Sequence, residues 1–362
     1  FWLDNLRTFM IFLVVLLHAG IVYESAGGGA LFWIVDDPST NRLCGILNLI
    51  LDIVVMTAIF FVSGFFASLS IQKKSGWSFL KTRIRRLIVP WIFAVFTLMP
   101  VYKFIFLYSR NIPQEHWTTY FHFSNGIFSQ SWLWFLPVLF LFDVLYLVIS
   151  KAKIDLSRIG LKYGVLAASL LGFAYLICIY LLNAEGWTKT ALIDFQNERL
   201  LIYFLIFLVG SLCFRLKTFE SEGKNRRLYF VVCCTIWIPV FLYMKFYLYS
   251  MLDPGRFIVS ELADAMVIRV TLLISLLGLL FVVINTFRYY LNRQGKMSQE
   301  LNKNSYGVYI IHVIVLGIIA FALLYTTIPS LLKCLLLAVS TYAASNLIVY
   351  FYRMAIKPKI IF

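Results

Sequence analysis

Apolar runs long enough to cross a ~30 Å hydrocarbon layer recur ten times along this chain. They fall at about 3–23, 46–70, 87–108, 132–150, 163–183, 199–214, 228–250, 262–287, 305–325 and 329–352. A soluble fold cannot hide that much apolar surface: 61% of the 362 residues are hydrophobic and only 14% are charged, where soluble chains run about 45–50% and about 25%. The pattern predicts an all-α, polytopic membrane protein of about ten transmembrane helices, a single membrane domain over 1–362. Two places strain it. The run at 199–214 is short and contains Gly210, and the last two runs are parted only by Thr326, Thr327, Ile328, Pro329 and Ser330.

The connecting segments alternate in charge. Segment 71–86 holds Lys73, Lys74, Lys81, Arg83, Arg85 and Arg86 with no acid, and segments 151–162, 215–227, 288–304 and the tail bring this side to 22 of the 32 basic residues. The opposite segments (24–45, 109–131, 184–199 and 251–261) carry five basic and nine acidic residues. The positive-inside rule then predicts both termini in the cytoplasm. Much of the net charge of +15 is accounted for by topology, and no nucleic-acid partner is expected. Six cysteines without paired metal-ligand spacing predict neither a disulfide framework nor a metal site. The first apolar run lacks a small-residue cleavage site and reads as a span rather than a signal peptide.

Nine charged residues remain in or at the ends of spans: Asp4, Arg7, Asp52, Lys103, Asp143, Lys245, Asp264, Arg269 and Lys333. An ionisable group in hydrocarbon costs at least ~2.5–3.5 kcal/mol, so each needs a partner, a cavity or a route to the interface. Lys103, Lys245 and Lys333 lie near the outer ends, where snorkelling serves. Span 1 is different, reading Asp4, Arg7, then ten residues, then His18. Eleven helical steps bring Arg7 and His18 within ~20° of one face at a rise of ~16 Å, with Asp4 about one turn below Arg7. That stripe reads either as a hydrated channel ending at an imidazole, or as an ion pair that fixes packing with a histidine bonded to a carbonyl. In span 9, Ser305 and His312 share a face near Tyr306 and Tyr309. Trp132 and Trp134 open span 4, where tryptophans ordinarily mark the membrane interface.

Four segments together resemble the acyltransferase 3 family of integral-membrane O-acyltransferases. Leu3-Asp4-Asn5-Leu6-Arg7 followed by His18 is similar to its arginine, ten residues, histidine motif. Phe61-Val62-Ser63-Gly64-Phe65-Phe66, with Phe79 to Pro90, resembles its Ser-Gly-Phe and Phe-x-x-x-Arg-x-x-Arg-Leu signature. Trp132 to Leu136 is similar to its Leu-Trp-Phe element, and Ser305-Tyr306-Gly307-Val308-Tyr309-Ile310-Ile311-His312 to its late motif. The opening motif and His18-Ala19-Gly20 resemble the subgroup that succinylates periplasmic glucans.

The resemblance implies transfer of an acyl group, acetyl or succinyl in type, from cytoplasmic acyl-coenzyme A to a hydroxyl of an extracytoplasmic glycan or related acceptor, by a multi-pass protein of a bacterial inner membrane. A hydroxyl is a poor nucleophile near neutral pH and wants a general base. His18 is the expected base and Arg7 its catalytic companion, with Asp4, Asp52, His312, Tyr309 and Trp134 as supporting candidates. Arg83, Arg85, Arg86 and Ser63 are the expected donor-binding residues, since guanidinium forks suit the donor's phosphates. No metal is expected. The rival reading is a proton-coupled transporter or flippase, because intramembrane Asp, Arg and His also build proton pathways.

Overall fold

The chain is described from a computed structural model over residues 1–25, 32–122, 129–151, 160–220 and 225–355. Within them lie twelve helices: α1 (Trp2–Tyr23), α2 (Arg42–Lys73), α3 (Gly76–Arg83), α4 (Val89–Ser109), α5 (Phe135–Lys151), α6 (Leu161–Leu181), α7 (Asn197–Arg215), α8 (Arg226–Thr235), α9 (Trp237–Leu252), α10 (Glu261–Tyr290), α11 (Lys296–Leu323) and α12 (Ser330–Ala355). Taking α3 with α4, and α8 with α9, as single spans gives ten segments long and apolar enough to cross a membrane. A two-stranded antiparallel hairpin, β1 (Trp187–Thr188) and β2 (Phe195–Gln196), joins α6 to α7. The chain is an all-α polytopic membrane protein. Of the loop charges, Lys153, Asp155, Arg158, Glu222, Lys224, Lys357 and Lys359 lie outside the described residues.

Two element boundaries differ from the hydropathy reading. Segment 71–86 is largely helix. Ser75 caps α3 through its hydroxyl on the Ser78 amide, 3.3 Å, and Phe79 points inward while Trp77 stays exposed. A single π turn, Ile84–Ile88, then leads into α4. Pro90 explains the turn, because its ring lacks an N–H for the Arg86 carbonyl and clashes with it in a regular helix. Likewise α11 begins at Lys296, nine residues before the apolar run at 305–325. Its polar first turns carry the contacts that dock α1.

Contacts divide the chain into two units. One comprises Phe1–Val55, Phe96–Phe121 and Phe287–Phe362. In it, α1 packs on the antiparallel pair α11 and α12, burying Leu3, Leu6, Met10, Val14 and Val15 at helical spacing. Lipid offers no hydrophobic drive between helices, so close packing and polar contacts must hold such a bundle. Here Asn302 supplies them. It accepts from the Thr8 hydroxyl, 2.5 Å, and donates to Asn5 Oδ1, 3.1 Å, while Asn5 donates to the Leu291 and Arg293 carbonyls, both 2.8 Å. At the other end of α11, Gly317 admits the side chain of Ile34, which a Cβ would strike.

The snorkelling expected of Lys333 is corrected by the structure. Its ammonium lies 2.9 Å from Asp37 Oδ2, and each side chain is only 1% exposed. Asp37 also accepts from the Ser39 amide and hydroxyl. A carboxylate held this way gives the lysine a closer and better partner than the interface.

The second unit comprises Met56–Val95 and His122–Thr286. There α2 and α7 cross at two glycines: a Cβ on Gly64 would meet the Phe207 carbonyl, and one on Gly210 the Phe61 carbonyl. Two of the span charges, Arg269 and Asp264, find their partners inside this unit. Arg269 meets Glu185, donates to the Ala265 carbonyl at 2.7 Å and lies over the Tyr180 ring. Asp264 accepts from the Ile258 and Val259 amides, 2.6 and 3.1 Å.

Candidate active site

The first unit gathers five of the residues singled out from sequence: Asp4, Arg7, His18, Tyr309 and His312. Because α1 and α11 run side by side in the same direction, their polar faces meet level by level. Low on α1, Arg7 sits 3.6 Å from Asp4 and donates to the Asn302 carbonyl at 3.4 Å. Its Nε is buried without a partner among the described residues. Such a guanidinium retains donors for an anion or a carbonyl.

Higher up, Nδ1 of His18 lies 2.8 Å from Nε2 of His312. The ring planes are 7° apart and the centroids 5.0 Å apart. Nδ1 of His312 lies 2.6 Å from the Tyr309 carbonyl. His312 is fully buried and His18 half-buried. Tyr309 therefore enters through its backbone.

Sequence reading missed the lid over this pair. Trp33 stacks obliquely on His18, ring centroids 4.8 Å apart, and its indole N–H donates to the His18 carbonyl at 3.1 Å. Its segment is held from α4 and the residue after it: Tyr102 donates to the Phe32 carbonyl at 2.8 Å and Arg110 to the Trp33 carbonyl at 3.0 Å. Burial depresses the Arg110 guanidinium below its usual range, and the charge of Asp36 opposes the shift. The available signal was Phe32 to Val35, a short apolar run inside an otherwise polar loop. Asn302 was missed because 288–304 reads as a loop by charge. Asp52 lies half-buried on α2.

The other candidates belong to the second unit. Arg83 turns toward the buried Asp143 of α5, Nε to Oδ2 3.3 Å, and lies over the Phe79 ring. Arg85 and Arg86, in the π turn, are exposed. Ser63 is half-buried beside Gly64. Trp134 joins an aromatic cluster with Phe60, Tyr203 and Trp187, centroids 5.5 to 6.4 Å away. Between β1 and β2, Asp194 accepts from the Gln130 and Thr190 amides, both 2.9 Å. Burial nevertheless raises its carboxyl above the usual range.

An imidazole pair shared by α1 and α11, with a guanidinium on the His18 face of α1, suits proton transfer beside a site for a negatively charged or carbonyl-bearing group. Comparison with known proteins agrees in kind. Residues 1–350 match the family model described as the acyltransferase domain, of the acyltransferase 3 type. No curated protein and no solved structure matches the chain. The chain belongs to the acyltransferase 3 family and is a multi-pass membrane acyltransferase.

Proposed function

We propose that this member of the acyltransferase 3 family moves an acyl group, acetyl or succinyl in type, from cytoplasmic acyl-coenzyme A to a hydroxyl of an extracytoplasmic glycan or related acceptor. The observation that carries the reading is the placement of Arg7 and His18 on one face of α1, with His18 bonded to His312 at 2.8 Å. Over eleven residues the helix rises ~16 Å, a span that suits a donor with an anionic head and a long arm. Arg7 steadies the donor arm or the charge that develops on the thioester oxygen. His18 takes the proton of the acceptor hydroxyl and returns it to the departing thiolate. Arg85 and Arg86, exposed at the predicted cytoplasmic side, attract the nucleotide phosphates. Arg83 assists from its pairing with Asp143.

Purified protein given acyl-labelled coenzyme A tests this. The label should be hydrolysed slowly alone and move to an added glycan acceptor. A protein that leaves the thioester intact under both conditions is not using this donor, and a label that crosses sealed vesicles unchanged would favour the transporter reading.

A further inference from the structure

The two hydrogen bonds of His312 determine where the hydrogens of both rings must be. A carbonyl oxygen only accepts, so Nδ1 of His312, 2.6 Å from the Tyr309 carbonyl, carries a hydrogen. In the neutral ring Nε2 is then a lone pair. The 2.8 Å contact with His18 Nδ1 needs one hydrogen between the two nitrogens, which therefore sits on His18. The ring planes, 7° apart with centroids at 5.0 Å, place that contact nearly in both planes, where an imidazole lone pair lies. The tautomers follow from this network.

We infer that His312 is a positioning residue that sets the tautomer of His18 and so makes Nε2 of His18 the atom that takes the acceptor's proton. The inference rests on the acyl-transfer reading above. In the reaction the hydroxyl oxygen bonds to the thioester carbonyl carbon while its proton passes to Nε2. The carbon–sulfur bond then breaks, and the same proton leaves Nε2 for the thiolate. While His18 holds that proton it is a cation, and its Nδ1–H bond to His312 becomes charge-assisted, roughly twice as strong as a neutral bond. The contact thus strengthens as the transition state forms, which is the kind of interaction that raises kcat. His312 touches neither substrate and acts through His18.

Two amide replacements separate this role from simple anchoring of α11. His312→Gln reaches as far as Nε2 did: with its NH2 drawn to the Tyr309 carbonyl, its oxygen accepts from His18. His312→Asn reaches only as far as Nδ1, keeping the bond to Tyr309 and losing His18. With acyl-coenzyme A and an acceptor, His312→Gln should keep kcat within ~10-fold of wild type, while His312→Asn should lose ~10²-fold or more at nearly unchanged donor KM. Asn equal to or better than Gln would overturn the inference, because the bond to Tyr309 would then be what matters. Full activity in both variants would overturn it as well. Wild-type protein inert toward acyl-coenzyme A would instead defeat the acyl-transfer reading itself.

Discussion

Single side chains decide the chemistry of this protein, and Arg7 shows how. Its fork is only partly used by Asp4 and the Asn302 carbonyl, with Nε left over. Arg7→Lys keeps the charge and loses the planar fork. It should raise the donor KM less than Arg7→Ala does, and equal effects in steady-state kinetics would mean that charge alone contributes nothing at this position. Lys333 makes the opposite case, a charge whose work is structural. Lys333→Met strands Asp37 in a site 1% exposed and should cost ~3–5 kcal/mol. Thermal unfolding in detergent should show the Asp37→Leu, Lys333→Met double variant recovering most of that loss. The sequence reading gave Lys333 a route to the interface instead of a partner. Asp37 lies 296 residues away, and no local spacing reports a contact across such a distance. Trp33, 15 residues from His18, was hidden by the loop that carries it, while the shared face of Arg7 and His18 was legible because one helix carries both.

Helices follow from the apolar runs, yet their ends and crossings come from residues the runs do not weigh. Hydropathy placed all ten spans and missed α3 and the first turns of α11, because lysines and arginines lower a window average without disfavouring helix. Asn302 was lost to the loop reading for this reason, although it ties α11 to α1. Gly210 looked like a weakness in a short span. It is instead one half of a reciprocal contact with Gly64, where each helix backbone meets the other. Even alanine at either position puts a Cβ into a carbonyl. Gly64→Ala and Gly210→Ala should each destabilise the second unit by ~1–3 kcal/mol as overpacking does. Thermal shifts no larger than those of alanine variants on exposed helix faces would show that α2 and α7 part easily.

Across the whole molecule, α1 and α11 bring the imidazole pair and Arg7 together in the unit built from both ends of the chain, a union no local motif announces. The alternation of basic and acidic segments predicts that α3 and the start of α11 face the cytoplasm and that the Trp33 segment faces outward. Single cysteines at Ser78 and at Ser39, tested with an impermeant maleimide on intact cells, should be protected and labelled respectively. Labelling of both from outside would reverse or abolish this topology. The central claim is that His18 is the base for acyl transfer, and the most direct test is the rate of label transfer by purified His18→Ala protein. The Trp33 indole bonds the backbone carbonyl of residue 18, not its side chain, so the variant should fold and bind donor as wild type does. Transfer should fall by ~10²–10⁴-fold, the usual contribution of a general base. A folded His18→Ala protein that transfers acyl groups at near wild-type rates would contradict the account.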